Sequence, residues 1–290
     1  MKNIRTLVVL RGDTSMKKIF HIDKIVSEIS QLEYKFAVDA HCHIESDGYT
    51  DAERKYAIER SLEKKIVLVT SPLTMPERYY ALELSKRYLG WIYVTTASHP
   101  LYNEPIDDVI EFIRKHSEEI IGIGEVGLDF HPPNNTEDIR SAQIKKFEVF
   151  ISLAKELDKP LVVHSRSAGK YALDVLIRNS AEKVLMHSFS GNVKYAKKGI
   201  EAGYYFSIPP TVAYSPQKQK LVKALPLENM MLESDAPALS PESGKVNWPW
   251  NILFAATIIA TIKEIDVRDV INETAKNAMK LFRITPLSCR

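Results

Sequence analysis

Eight short runs rich in β-branched and aromatic residues, each followed by a longer amphipathic stretch, constrain this chain more than any other feature. They lie near residues 36–43, 66–70, 91–97, 120–125, 161–164, 184–187, 204–208 and 230–233. Strands that alternate with crossover helices form a parallel sheet, because each helix carries the chain back to the same end. Eight such units predict an α/β chain folded as a single closed (β/α)8 TIM barrel rather than an open sheet. The roughly 255 residues from Phe36 onward match the usual barrel length of about 250.

Local signals agree with this alternation. Thr50 followed by Glu53 spells a capping box, which satisfies two unpaired amides at the start of the first barrel helix. Phe147, Phe150, Ile151 and Ala154 recur at the i, i+3, i+4, i+7 spacing of one helix face, so that face should pack on the barrel. A last helix is expected over 267–282, opening after Asp266 and stopping before Pro286. Residues 1–35 are assigned to an amino-terminal extension and 36–290 to the hydrolase barrel. Within the extension, Ile25, Val26, Ile29 and Leu32 give 21–32 a weak helical pattern, which either plugs the barrel bottom or stands unpaired. Removing residues 1–34 is expected to spare hydrolysis and to lower thermal stability if Ile25, Ile29 and Leu32 cover apolar surface.

Composition narrows the class of function. The chain is 45% hydrophobic and 26% charged, enough to bury a large core without disulfides. Its two cysteines, Cys42 and Cys289, form neither a disulfide framework nor a CxxC metal site, which suits a reducing compartment. The apolar run at 7–10 is too brief for a signal-peptide core, and the run at 252–262 is too short to span a bilayer. A cytoplasmic protein without a membrane partner is expected. With 39 basic and 37 acidic residues, the net charge of +2 lacks the excess needed to hold duplex DNA by charge alone, so nucleic-acid contacts should be local.

The chemistry is concentrated at the carboxyl ends of the expected strands. The first ends Asp39-Ala40-His41-Cys42-His43, and period-two alternation would place Asp39, His41 and His43 on one face with Cys42 on the other. An isolated HxH pair is more often hydrogen-bonded structure than a metal site. Here four later strands also end in a candidate ligand: Glu125, His164, His187 and Asp235. In a barrel all these ends converge on one rim. Four imidazoles and two carboxylates exceed the needs of one tetrahedral site and suit two divalent cations bridged by a carboxylate and a water. Ligand types leave the metal open among magnesium, manganese and zinc.

Five segments taken together, DxHxH, GExGLD, HSR, HSFSG and the final ESDAP, resemble the TatD family of metal-dependent deoxyribonucleases, within the amidohydrolase superfamily. The likeness runs over 36–282 and includes Asn247-Trp248-Pro249, similar to the family's Asn-x-Pro after strand eight. It implies a (β/α)8 barrel whose cations are held by His41, His43, Glu125, His164, His187 and Asp235. Glu125 would bridge where some relatives use a carboxylated lysine. It also implies a DNase, with exonuclease action on single-stranded DNA favoured and no obligate protein partner. Two departures stand out. About 35 residues precede the first strand, where the family usually begins close to it, and the family's Gly-x-His-Pro appears as Ala97-Ser98-His99-Pro100.

Roles follow from residue chemistry. Asp235, with one oxygen on metal and one free, is the expected catalytic base; a helix cap before Ala236-Pro237 is the plain alternative. Asp39 is expected to fix a ligand imidazole by hydrogen bond. His99 is expected to contact the scissile phosphate or leaving oxygen, or else to be held by its own loop. Arg166 offers a fork donor to a phosphate or a salt bridge to Asp129. Trp248 and Trp250 offer faces to an unpaired base, although packing is the commoner fate of at least one. A D-aminoacyl-tRNA deacylase, or another ester or amide hydrolase, is the alternative activity, since this chemistry serves carbonyl and phosphoryl centres alike. A binding protein with a vestigial site fits poorly with six retained ligands.

Overall fold

The computed structural model describes residues 21–242 and 244–285. The run at 7–10, Pro286 and Cys289 lie outside them, as does the first part of the expected extension. The eight expected strands are all present: β1 (Ala37–Cys42), β2 (Ile66–Thr70), β3 (Ile92–Val94), β4 (Ile123–Gly127), β5 (Leu161–His164), β6 (Val184–Met186), β7 (Tyr205–Ile208) and β8 (Met230–Leu232). Between and after them run α2 (Asp51–Glu63), α3 (Met75–Arg87), α4 (Ile106–Lys115), α5 (Glu137–Glu156), α6 (Gly169–Arg178), α7 (Val193–Glu201), α8 (Pro216–Ala224), α9 (Asn251–Lys263) and α10 (Val267–Phe282); α1 (Ile22–Ser30) precedes them all.

Strands β1 to β3 and β4 to β8 pair in parallel and in chain order. Two links close the ring. A parallel bridge between Thr95 and Gly122 joins β3 to β4. Beyond β8, Asp235 donates its backbone N–H to the His41 carbonyl at 3.0 Å and His43 donates to Ala236 at 2.8 Å. The α/β barrel expected from the eight runs is therefore the fold.

Alternation decides what each strand residue packs against. Val38, Ala40, Val67, Val69, Val162, Leu185 and Met231 form one cluster across strands that are not neighbours, which places them inside the barrel. Ala278, Leu281 and Phe282 of α10 join that cluster beside Phe36, so α10 closes the end opposite the strand carboxyl termini. The barrel bottom is thus plugged from the carboxyl-terminal side of the chain. Helix α1 lies instead on α9. Its Ile22, Ile25, Val26 and Ile29 are buried along one face. Helix α9 is mostly apolar and buried at every position from Asn251 to Ala260, as a helix covered on all sides must be. No helix among the described residues is long and apolar enough to cross a membrane.

The capping box holds: Glu53 N–H reaches Thr50 Oγ1 at 3.3 Å, and Thr50 N–H reaches the Glu53 carboxylate at 2.9 Å. Phe147, Phe150, Ile151 and Ala154 form the buried face of α5.

Candidate metal centre

The six expected ligands meet at the carboxyl-terminal rim. His41 lies in β1 with His43 just past its end, Glu125 in β4 and His164 at the end of β5; His187 follows β6 and Asp235 lies three residues past β8. Glu125 is central, and its two oxygens divide the imidazoles between them. Oε2 is 3.5 Å from His41 Nε2 and 3.6 Å from His43 Nε2. Oε1 is 2.6 Å from His164 Nδ1, 3.5 Å from His99 Nε2 and 3.6 Å from His187 Nε2. Asp235 Oδ1 stands 3.5 Å from His41 Nε2, 3.4 Å from His43 Nε2 and 4.0 Å from His187 Nε2.

His41 tests whether this donor set fits a cation. It is fully buried, and neither ring nitrogen has a hydrogen-bond partner among the described residues. An unpaired buried imidazole nitrogen is costly unless a ligand uses it. Three groupings converge closely enough to hold an ion: His41, His43 and Asp235; His41, Glu125 and His187; and His99, Glu125 and His164. Imidazole and carboxylate donors around a shared carboxylate suit divalent transition ions and leave magnesium open.

Hydrogen bonds outside the cluster set which nitrogen faces in. His43 Nδ1 donates to the Ser71 carbonyl at 2.8 Å, leaving Nε2 for the centre. His187 Nδ1 does the same toward Glu233 Oε2 at 2.7 Å, a carboxylate also held by the Ser207 hydroxyl at 2.7 Å. His164 lies between two carboxylates, with Nε2 3.0 Å from Asp129 Oδ2.

Electrostatics follow this geometry. Burial works against charge on every one of these groups, yet His99 and His164 outweigh it and hold Glu125 well below the usual carboxylate range. Asp235 is likewise held low, against burial, by His187, His43 and His41. In return, and again against burial, Asp235 and Glu125 raise His43 to about 10, while Glu233 and Asp235 raise His187 to about 9. Burial prevails at His41 and His99 and lowers both.

Some expected roles change. Asp39 does not fix an imidazole. Its carboxylate accepts the Ser234 amide at 2.8 Å and the Ser234 hydroxyl at 2.5 Å, tying β1 to the turn that carries Asp235. The reason is a bulge: β1 advances from Asp39 to Cys42 while β2 advances only from Leu68 to Thr70, so the simple alternation is interrupted there. The partner expected of Asp39 is supplied at His187 by Glu233. Arg166 takes the salt-bridge alternative, with Nε 2.8 Å from Asp129, while half its side chain stays exposed. Trp248 is half-buried, stacked on Trp250 at 5.1 Å and on Tyr49 at 5.4 Å; Trp250 is buried.

The His99 loop has supports that no strand pattern announces. Lys146 of α5 donates to the His99 and Tyr102 carbonyls, both at 2.9 Å. Arg78 of α3, fully buried, donates to Thr96 Oγ1 and the Ala97 carbonyl and pairs with Glu104, spanning the loop from end to end. His99 Nδ1 accepts the Leu101 N–H at 3.2 Å, so its Nε2 faces Glu125. An open cavity of about 700 Å³ lies elsewhere, among Tyr34, Phe36, Lys65, Ala275 and Met279, and none of the candidate ligands lines it.

Glu233→Gln is expected to weaken cation binding about 10–100-fold, as loss of an imidazole's outer partner does, without unfolding the barrel. Titration with zinc or manganese checks this; wild-type affinity would remove Glu233 from the design of the centre.

Comparison with known proteins adds independent findings. The family model described as TatD related DNase matches residues 38–283. The chain is 39% identical over 262 residues to deoxyribonuclease TATDN3 of Homo sapiens, covering 84% of this chain and 94% of that one. It is 37% identical over 250 residues to an uncharacterized metal-dependent hydrolase of Methanocaldococcus jannaschii, covering 85% and 96%. Among solved structures, the TatD homologue YJJV of Escherichia coli superposes with a TM-score of 0.78 at 21% identity, covering 87% of this chain and 99% of that one.

Proposed function

We propose, since this chain belongs to the TatD family of related DNases, that it is a metal-dependent hydrolase cleaving DNA phosphodiester bonds with two divalent cations. The observation that carries this reading is Glu125, whose two oxygens face separate sets of imidazoles. His41, His43 and Asp235 would hold one cation and His164 and His187 the other, with Glu125 between them. When bound, divalent cations supply positive charge to the phosphoryl group and make water more acidic.

The chain's own residues do the rest. Asp235 is held ionised by His187, His43 and His41, which keeps it able to take a proton from the attacking water. His99 presents Nε2 toward the centre from a loop clamped by Lys146 and Arg78, the place from which to contact a phosphoryl or leaving oxygen. Arg166 is partly exposed beside Asp129 and His164, where its remaining nitrogens can meet a neighbouring phosphate. A net charge of +2 supports a short single-stranded or frayed substrate over a long duplex footprint. No observation favours D-aminoacyl-tRNA deacylation.

Metal-stripped protein is to be incubated with labelled single- and double-stranded DNA, RNA and D-aminoacyl-tRNA, with magnesium, manganese or zinc added back. Cleavage of DNA, with about two ions bound per chain, is expected. A single tightly bound ion that leaves His187 and Asp235 unused would overturn the two-cation arrangement. The affinity should also depend on pH. His43 and His187, raised to about 10 and about 9, are protonated at neutral pH without metal, and a cation must displace those protons. Affinity should therefore climb from pH 6 to 9, with proton release on binding; a flat profile by calorimetry would show that these imidazoles are not ligands.

A further inference from the structure

Five exposed tyrosines are found among the described residues, and four of them stand around the mouth of the barrel, one after each odd-numbered strand. Tyr56 follows β1, Tyr102 follows β3, Tyr171 follows β5 and Tyr214 follows β7. In a ring of eight strands these segments are a quarter-turn apart, so those bearing Tyr56 and Tyr171 lie on opposite sides of the barrel, as do those bearing Tyr102 and Tyr214. Their side chains are 37% to 54% exposed, which leaves ring surface open to a ligand. The fifth, Tyr79, packs on Phe112 and His116 of the α3–α4 layer instead.

Each of the four is fixed from behind. Tyr56 stands edge-on to Trp248 at 5.8 Å and to Trp250 at 5.6 Å. Tyr102 stands edge-on to His99 at 5.7 Å, next to the chemistry. Tyr171 packs on buried Phe130 at 5.3 Å, and Tyr214 donates its hydroxyl to the Ser240 carbonyl at 3.1 Å. A pre-positioned ring gives up little entropy when a flat partner stacks on it. One side of the mouth also carries cations. Lys170 Nζ is 5.4 Å and the Arg140 guanidinium 5.9 Å from the Tyr171 ring, and Arg166 stands close by on the loop after β5.

We infer that this ring of tyrosines is a docking surface for the unpaired bases of a single-stranded polynucleotide, with Tyr102 and Tyr171 the principal contacts and Lys170 and Arg166 meeting its phosphates. The inference rests on the nuclease reading and gives it a substrate form. Open aromatic faces stack on any exposed base, whereas the bases of an intact duplex are already stacked on one another. Trp248, expected to serve this purpose, is committed to its own stack with Trp250 and Tyr49, and the exposed ring of that group is Tyr56.

The test is fluorescence anisotropy of the full-length chain with a fluorescein-labelled oligothymidylate and with a duplex of equal length, under EDTA so that no cleavage intervenes. Tyr102→Ala and Tyr171→Ala should each weaken single-strand binding about tenfold and duplex binding less than twofold. Phe at either position should restore it, and Tyr79→Ala should bind as wild type. Single-strand affinity within twofold of wild type in both alanine variants, or an equal loss for the duplex, would overturn the inference. The expected binding losses together with no hydrolysis of DNA under any added cation would instead overturn the nuclease reading and leave the surface standing.

Discussion

Asp235→Asn is expected to lower turnover about 10²–10⁴-fold while leaving the barrel folded. Asp235 adopts a left-handed backbone conformation, with φ of 56°. Asparagine tolerates that region as aspartate does, so the turn should survive the change. Its amide also keeps nearly the same volume among His41, His43 and His187. What disappears is the negative charge those imidazoles surround, and with it the proposed cation ligand and proposed proton acceptor. Turnover on a labelled oligonucleotide, read beside a thermal melt, separates loss of chemistry from loss of fold. Cys42→Ala is the paired control: the thiol is buried and its Sγ reaches the Val69 carbonyl at 3.5 Å, away from the ligands. Near wild-type turnover is expected there. Wild-type turnover in the Asp235 variant would show that the proton goes elsewhere.

Much of this site was legible because the barrel turns a one-dimensional rule into a three-dimensional one. Side chains at strand carboxyl ends converge whatever lies between them, so His41, Glu125, His164, His187 and Asp235 could be grouped from positions alone. What was missed depends on departures from regularity. The bulge between Asp39 and Cys42 interrupts the alternation used to place Asp39, and no residue type in Asp39-Ala40-His41 announces it. Glu233 was within reach of the same argument, since it sits two residues before Asp235. Its partner His187 is 46 positions away, however, and strand pattern does not choose between pairs at that range. Lys146 and Arg78 are harder still. Both come from helices, where a cation normally signals a solvated face, and both instead turn inward to satisfy the carbonyls of the His99 loop.

Deleting residues 1–34 is expected to cost the protein its soluble folded form, a larger effect than the amino-terminal pattern alone suggests. Residues 22–29 are part of the packed body: Ile22, Ile25, Val26 and Ile29 are buried, Ile29 completely. Tyr34 adds a hydrogen bond from its hydroxyl to the Lys64 carbonyl at 2.7 Å. The underlying reason lies in α9, which is buried at every position from Asn251 to Ala260 and is mostly apolar there. With α1 removed, one side of a mostly apolar, buried helix becomes exposed, which destabilises the fold and invites association. A graded series isolates this contact from the rest of the segment. Ile29→Val should cost about 0.5–1.5 kcal/mol and Ile29→Ala about 2–5 kcal/mol, because the cavity left under α1 grows with each carbon removed. Size-exclusion chromatography of the truncated chain and denaturant melts of the two point variants supply the measurements. A monomeric truncation that melts with the full chain, or an Ile29→Ala variant no less stable than Ile29→Val, would mean that α9 does not depend on α1.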